Sequence, residues 1–349
     1  MTNSTVARSV AITGVAGFIG SRLVPRLSAA GVERIVGLDV RDPTRGAVGF
    51  EHHLVDVSTR DLEIWLRGVD TVVHLAAILD PIIDGERMAR ANVEGTRRVL
   101  DAAAAAGVRK VVRVSTAAVY GAWATNPVPL TEDAPLRPNP GFGPAIQAAE
   151  AERLVFEWQL DHPDVTVTVL RAAPVLGAGA GHLWARLLAG TRRVRVRGEG
   201  APVQVTHVDD LVDALTRLVL ADHSGVFDVA APGWVGADEV RALLPHGSLP
   251  ALPLDVVRRV LTRAWNSGLA DVPPSVVPYL LHPWVVATDR LEALGWRAEH
   301  TNEETLLETH EALTAAKRPF ATSAAVGAGA VAIGVFGGLA GRRWWNTHH

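Results

Sequence analysis

Between Ser9 and Arg171 the chain alternates two kinds of hydrophobic pattern. Short runs rich in Val and Ile read as buried strands: Ser9–Thr13, Arg34–Asp39, His53–Asp56, Thr71–Leu75, Lys110–Ser115 and Thr166–Arg171. Between them lie Phe18–Ala30, Gly85–Ala106 and Ala145–Leu160, where apolar residues return every three or four positions, the spacing of one helix face. Strands separated by helices do not pair as tight hairpins, so this order predicts an α/β fold with a parallel sheet and crossover helices. A Pro/Gly-rich break at Pro135–Pro144 precedes the third helix. After Gly177 the pattern loosens into turns at Gly198–Pro202, Pro232–Gly236 and Pro245–Pro253. That loosening predicts a smaller C-terminal cap, 177–202 and 232–300, beside a core of 9–176 and 203–231, within one domain spanning 1–320.

Composition narrows the chemistry more than the fold. At 349 residues the chain has ample length for a buried core. A formal charge of −3 and a pI near 6.5 supply no basic field, which argues against a nucleic-acid partner. The absence of cysteine removes disulfides, thiolate nucleophiles and thiolate metal sites. His52-His53 and His348-His349 lack metal-site spacing, so no metal is expected. No signal-like apolar stretch follows Met1–Arg8, so the bulk of the chain is expected in the cytoplasm.

Thr13 to Gly20 reads Thr-Gly-Val-Ala-Gly-Phe-Ile-Gly, directly between the first strand and the first helix. Gly14 permits the tight turn, Gly17 lets backbone approach a pyrophosphate, and Gly20 lets helix pack on strand. The phosphates would rest on unpaired N–H groups of Phe18, Ile19 and Gly20 where the helix opens. Asp39 ends the second strand, where a carboxylate accepts hydrogen bonds from an adenosine ribose and repels a 2′-phosphate. The pattern predicts a doubly wound Rossmann sheet suited to NAD in preference to NADP, with Arg41 nearby keeping NADP open.

With these go His74-Leu75-Ala76-Ala77, Asn92-Val93-Glu94-Gly95-Thr96, Ser115–Gly121, Leu170–Gly177, Thr206–Asp210, Gly225–Val229 and Leu294-Gly295-Trp296. In this order they resemble the extended short-chain dehydrogenase/reductase family, the NAD-dependent epimerases and dehydratases, over roughly residues 9 to 315. The resemblance implies adenine contacts from Asp56 and Val57, and a cofactor lining from Leu75, Ala76, Ala77 and Asn92. It also implies Thr116 in the catalytic Ser/Thr place, and a homodimer paired through the Gly85–Ala106 and Ala145–Leu160 helices.

The proton-transfer pair of that family is missing. A Tyr-x-x-x-Lys pair would fall on Pro144 and Ala148, counting back from Glu152. The chain has only two tyrosines, Tyr120 and Tyr279, and two lysines, Lys110 and Lys317, and none are so spaced. Phe142 carries no proton and Gln147 moves none at neutral pH, which leaves His182, after a Gly-rich bend, as the titratable candidate. Sugar-nucleotide epimerases of the family often carry an Arg-Asp pair, whose arginine binds the nucleotide phosphate, where this chain has Val203 and Gln204. Arg193, Arg195 and Arg197, on a strand with one wet face, are the arginines left to reach in.

At the C-terminus, Ala321 to Ala340 is a 20-residue run without charge, long enough to cross a bilayer core of ~30 Å. Lys317-Arg318 and Arg342-Arg343-Trp344-Trp345 flank it, as expected at headgroup depth. The run predicts a transmembrane anchor over 321–341 and a short tail, 342–349, with the NAD domain on the cytoplasmic face. A soluble cytoplasmic chain with a flexible Ala/Gly tail is the alternative. Leu254–Trp265 is a basic amphipathic helix for a membrane surface or a cap, and the apolar Val272–Val286 stretch suggests a hydrophobic small-molecule ligand.

Two functions follow. One is a membrane-anchored NAD-binding sensor, scaffold or pseudoenzyme with absent or atypical redox activity. The other is a working oxidoreductase or epimerase on a hydrophobic or sugar-like substrate, using Thr116 and a nonstandard acid/base.

Overall fold

The computed structural model describes residues 8–43, 49–190, 196–198, 200–244 and 251–316. The strands are β1 (Ser9–Thr13), β2 (Arg34–Asp39), β3 (Glu51–Leu54), β4 (Thr71–His74), β5 (Lys110–Thr116), β6 (Thr166–Ala172), β7 (Val175–Leu176), β8 (Thr206–His207) and β9 (Gly225–Val229). The helices of the first half are α1 (Gly20–Ala29), α2 (Glu63–Leu66), α3 (Gly85–Ala89), α4 (Gly95–Ala105) and α5 (Gly143–Asp161). Those of the second half are α6 (Leu183–Leu188), α7 (Val208–Leu220), α8 (Ala237–Leu243), α9 (Leu254–Asn266), α10 (Val277–Leu281), α11 (Asp289–Ala293) and α12 (Asn302–Ala315).

Seven strands form one sheet in the order β3-β2-β1-β4-β5-β6-β9, every pair parallel. The alternation of β1 shows why it is covered on both faces. Val10 and Ile12 pack with Leu23 and Leu27 of α1 and Leu211 and Leu215 of α7. Ala11 between them packs with Val99 and Leu100 of α4 and Val155 of α5. Strands buried on both sides read as continuous apolar runs, which is what made them legible. Leu291 and Trp296, late in the chain, return to the α1–α7 face.

Two elements differ from the pattern-based expectation. The third strand runs Glu51–Leu54 rather than His53–Asp56, because the Asp56 carboxylate accepts from Ser58 N at 2.9 Å and turns the chain there. The first helix starts at Gly20 rather than Phe18, because Gly17 N donates to Gly14 O and keeps those residues in the loop. The expected Gly85–Ala106 helix is present, with a π-helical turn at Arg90–Glu94 between α3 and α4. The Leu254–Trp265 segment is a cap helix here: Val257 and Leu261 pack on Val277, with Leu254, Val272 and Leu281 alongside. The proposed anchor, Lys317, and both Arg193 and Arg195 lie outside the described residues. Among the described residues no helix is long and apolar enough to cross a membrane.

Under the α4–α5 face the sheet carries a row of polar side chains in register. His74 lies beside Thr13 on one side and Arg113 on the other, and Arg171 lies between Ser115 and Asp228. Glu152 of α5, with no exposed surface, receives Arg171 Nε at 2.9 Å and Nη2 at 2.8 Å, and the Ser115 hydroxyl. Arg171 Nη1 donates to the Tyr120 hydroxyl at 2.8 Å, which in turn donates to Asp228 at 2.9 Å. The ion pair therefore ties α5 to β5, β6 and β9 at once. Removing one partner leaves the other charged, buried and unpaired, which costs about 3–5 kcal/mol, while replacing both with apolar groups costs far less. Glu152→Leu should lower unfolding free energy in urea by that amount, and Glu152→Leu with Arg171→Met should recover most of it. A single-mutant loss under about 1 kcal/mol, the size of a surface pair, would show the bond to be incidental.

Candidate functional site

The carboxyl ends of β1, β4, β5 and β6 open onto one cleft of about 320 Å³. Its walls include Gly14, Gly17, Phe18, Ile19, Gly20, Leu75, Ala77, Thr116, Pro144 and His182, so ten of the positions singled out from sequence meet in one place. Arg41 and Asp80 also line it.

The glycine loop is built for close approach. Gly14 has φ +74°, and a Cβ there would stand 2.8 Å from Ala76 N. A Cβ on Gly20 would stand 2.6 Å from Gly14 O. Both positions are therefore closed to other residues. Asp39, only 6 % exposed, accepts from Ala16 N and from Arg41 N, each at 3.0 Å, so this carboxylate pins the loop from behind. Among the described residues, the Phe18 and Ile19 amides at the mouth of α1 donate to no protein acceptor. Free amides facing a cleft at a helix start form an anion site, and they fit a dinucleotide pyrophosphate.

A histidine at the sheet's heart supports the second wall. The Thr96 hydroxyl spends its proton on Asn92 O at 2.6 Å, so it can only accept from His74 Nε2 at 3.0 Å. His74 Nδ1 then accepts from Thr13 Oγ1 at 2.7 Å, and Thr13 Oγ1 accepts from Ala76 N at 3.2 Å. This chain of bonds requires a neutral imidazole. Burial, reinforced by the Arg113 charge, pushes the His74 pKa down to about 3.

Other predicted residues stand back from the opening. Val57 is buried in the α4–α5 core, while exposed Asp56 turns the chain at Ser58. Asn92, presented by the π-helical turn, accepts from Ile78 N at 2.7 Å and donates to Ile78 O and to Gln147 Oε1, each at 3.0 Å. It latches the loop that carries Ala76 and Ala77. Gln147 is spent on that latch. Thr116 Oγ1 accepts from Ala118 N at 3.2 Å, leaving its hydroxyl proton free to hold a ligand oxygen.

No lysine or tyrosine reaches the site from elsewhere among the described residues. Tyr120 is locked between Arg171 and Asp228, and burial pushes its pKa up. The Tyr279 hydroxyl donates to Ala118 O at 2.9 Å behind the cleft wall, and burial likewise raises its pKa. Lys110 sits at the opposite, amino end of β5, donating to Leu218 O and Ala221 O, with burial lowering its pKa to about 8. Pro144 lies in the first turn of α5 on the cleft wall, and Ala148 is buried one turn later. The positions that would hold the proton-transfer pair are apolar.

Phe142 and Trp184 give the cleft an aromatic wall. Tyr279 and Trp284 back that wall, the four rings packing with centroids 5.0–5.8 Å apart. Gln204 is consumed as a staple, donating to Ala231 O and Val286 O and accepting from Val286 N at 2.8 Å. Sequence reasoning missed Asp80, whose oxygens accept from Leu183 N at 2.6 Å and Arg186 Nη1 at 3.2 Å across the cleft rim. Nothing in its local sequence marks it, since its partners lie over a hundred residues away.

The fold and this crevice define a dinucleotide-binding α/β protein. The profile of the NAD dependent epimerase/dehydratase family matches residues 10–230, and the chain belongs to that family. It is 30% identical over 325 residues to a Streptomyces 3-diazoavenalumate denitrifying reductase, covering 83% of this chain and 96% of the reductase. It is 34% identical over 231 residues to the UDP-glucose 4-epimerase of Mycolicibacterium smegmatis, covering 59% and 71%. Among solved structures, MoeE5 in complex with UDP-glucuronic acid and NAD superposes with a TM-score of 0.70 at 24% identity, covering 88% and 99%. Thermus thermophilus UDP-glucose 4-epimerase complexed with NAD does so at 0.67 and 22%, with the same coverage.

The neutral His74 gives the site a pH signature. Its folded pKa lies below the unfolded value near 6.5, so its contribution is intact above pH 6.5. Below that, the unfolded chain takes the proton first, and stability falls toward pH 3 by up to about 1.4 kcal/mol per pH unit. Urea unfolding from pH 7 to pH 4 should be shallower for His74→Gln than for wild type. Parallel slopes would show that His74 titrates normally.

Proposed function

We propose that this chain holds NAD in the Gly14–Gly20 crevice, carries no Tyr/Lys proton-transfer pair, and receives an apolar ligand in place of a sugar nucleotide. The observation that carries the reading is the cleft itself. Gly14, Gly17, Phe18, Ile19 and Gly20 line it, while the positions where the resemblance puts a proton-transfer pair are Pro144, on the cleft wall, and buried Ala148. When bound, NAD supplies hydride transfer. The chain's own part is to seat the pyrophosphate on the Phe18 and Ile19 amides, the ribose near Asp39 and Arg41, and a ligand oxygen near Thr116.

Two features support an apolar ligand: the aromatic wall of Phe142 and Trp184, and Val203 standing where the resemblance puts a phosphate-binding arginine, with Gln204 beside it spending its side chain internally. Redox activity is then absent or runs through another group. The Streptomyces relative named as a 3-diazoavenalumate denitrifying reductase supports the second course.

Membrane anchoring is part of the proposal. It rests on the uncharged Ala321–Ala340 run and its Arg-Trp flank, and places the NAD domain on the cytoplasmic face. Homodimer pairing through α4 and α5 would bring together faces that carry exposed Arg97, Arg98, Asp101, Glu150, Arg153 and Glu157. Such a dimer would rest on charge complementarity, and the mass in solution tests it.

Ligand response of the full chain in detergent separates these readings. At ~100-fold its Kd, NAD should add about 2.7 kcal/mol of stability, raising the melting temperature by several degrees. NADP should raise it less, and UDP-glucose alone not at all. A folded protein indifferent to NAD sinks the cofactor assignment, and a response to UDP-glucose alone sinks the apolar-ligand assignment. Alkaline carbonate should leave the full chain in the membrane pellet; release into the supernatant would refute the anchor.

A further inference from the structure

We propose that His182 is the proton acceptor of the cleft, supplied from the cap side where the α5 helix offers none. The inference rests on the NAD-holding reading above. His182 immediately precedes α6 and lines the same cleft as Thr116, Phe142 and Pro144. Its Nε2 stands 2.7 Å from Val175 O. A carbonyl oxygen only accepts, so Nε2 carries the proton and Nδ1 keeps a lone pair. Nδ1 has no partner among the described residues, and it is not one of the sealed, unpartnered polar atoms of the interior. It is the ring's open nitrogen.

The ring is also held in place. The Phe18 ring of the glycine loop meets it edge-on at 6.3 Å, so the imidazole spans the gap between cofactor loop and cap. Asp80 accepts from Leu183 N and fixes the next residue of the chain. The charged groups facing the imidazole are Asp80 and Arg186, which pair with each other at 3.2 Å and so largely cancel. Burial then dominates and lowers its pKa, leaving the free base at neutral pH.

The step balances with a bound oxidised dinucleotide. A secondary alcohol held by Thr116 would pass its O–H proton to Nδ1 as its carbinol hydride left for the nicotinamide, the carbonyl double bond would form, and the imidazolium would return the proton to water. The alcohol is oxidised and the dinucleotide reduced.

Two measurements on the full chain decide the point. In long-range proton–nitrogen spectra of histidine-labelled protein, the ring signals absent from His182→Gln belong to His182. They should show the Nε2–H tautomer at pH 7 and a titration midpoint below that of an exposed histidine. An Nδ1–H tautomer, or an ordinary midpoint, overturns the proposal. Should the variant fail to fold, labelling of wild type by diethyl pyrocarbonate, located by peptide mass, replaces the assignment. His182 should react in the free protein, and NAD at ten times its Kd should slow the labelling about tenfold through occupancy. An unreactive His182, or one that NAD leaves equally reactive while the melting temperature responds to NAD, also overturns it. If NAD raises no melting temperature, the cofactor reading fails, and the tautomer still decides the state of His182.

Discussion

The buried Glu152–Arg171 bond is the constraint on which the working end of this molecule depends. It joins a helix to the carboxyl edges of three strands, and through Ser115 and Tyr120 it sets the wall against which the cleft opens. An ion pair so deep brings little net stability, because desolvating both charges offsets their attraction. What it brings is position. With Arg171 fixed on Glu152, Tyr120 has a donor above it and Asp228 an acceptor's place below, so Tyr120 is structural and closed to chemistry. The same row of polar side chains continues through Arg113 to His74, which transmits order from α4 to the Ala76 amide beside the glycine loop.

This frame explains how the crevice is built with Pro144 and Ala148 on α5. Asp39 bonds to the Ala16 and Arg41 amides, His74 to the Thr13 and Thr96 hydroxyls, and Asn92 to Ile78 and Gln147, and none of these bonds goes to residue 144 or 148. Replacing those two positions with Pro and Ala therefore leaves the crevice built. Pro144 even suits its place, since a proline in a helix's first turn gives up no intrahelical bond. Under the proposed function, proton transfer then falls to the cap side and to His182.

Much of this was legible in the sequence, for physical reasons. Strands buried on two faces write themselves as unbroken apolar runs, and a loop that must pass a phosphate writes itself as glycines at fixed spacing. Asp39 was legible because it ends a strand at the expected distance from the loop. What it does in the fold, pinning Ala16 and Arg41, was not, since that depends on the loop's tertiary path. Asn92 was legible as part of a family motif, yet the π-helical turn aims it at Ile78 and Gln147. Glu152 and Arg171, nineteen residues apart, meet only once α5 has packed on the sheet, and Asp80 meets α6 only across the finished cleft. Local pattern records burial and turns; it does not record which polar groups find each other afterwards.

The proposed function turns on a cradle that takes NAD and no sugar nucleotide. Native mass spectrometry of the full chain, purified without added ligand and then titrated with NAD and with UDP-glucose, reads both at once. One NAD per chain is expected, retained from the cell or taken up on titration, and no sugar nucleotide. A chain that stays bare in excess NAD, or that carries UDP-glucose, would overturn it.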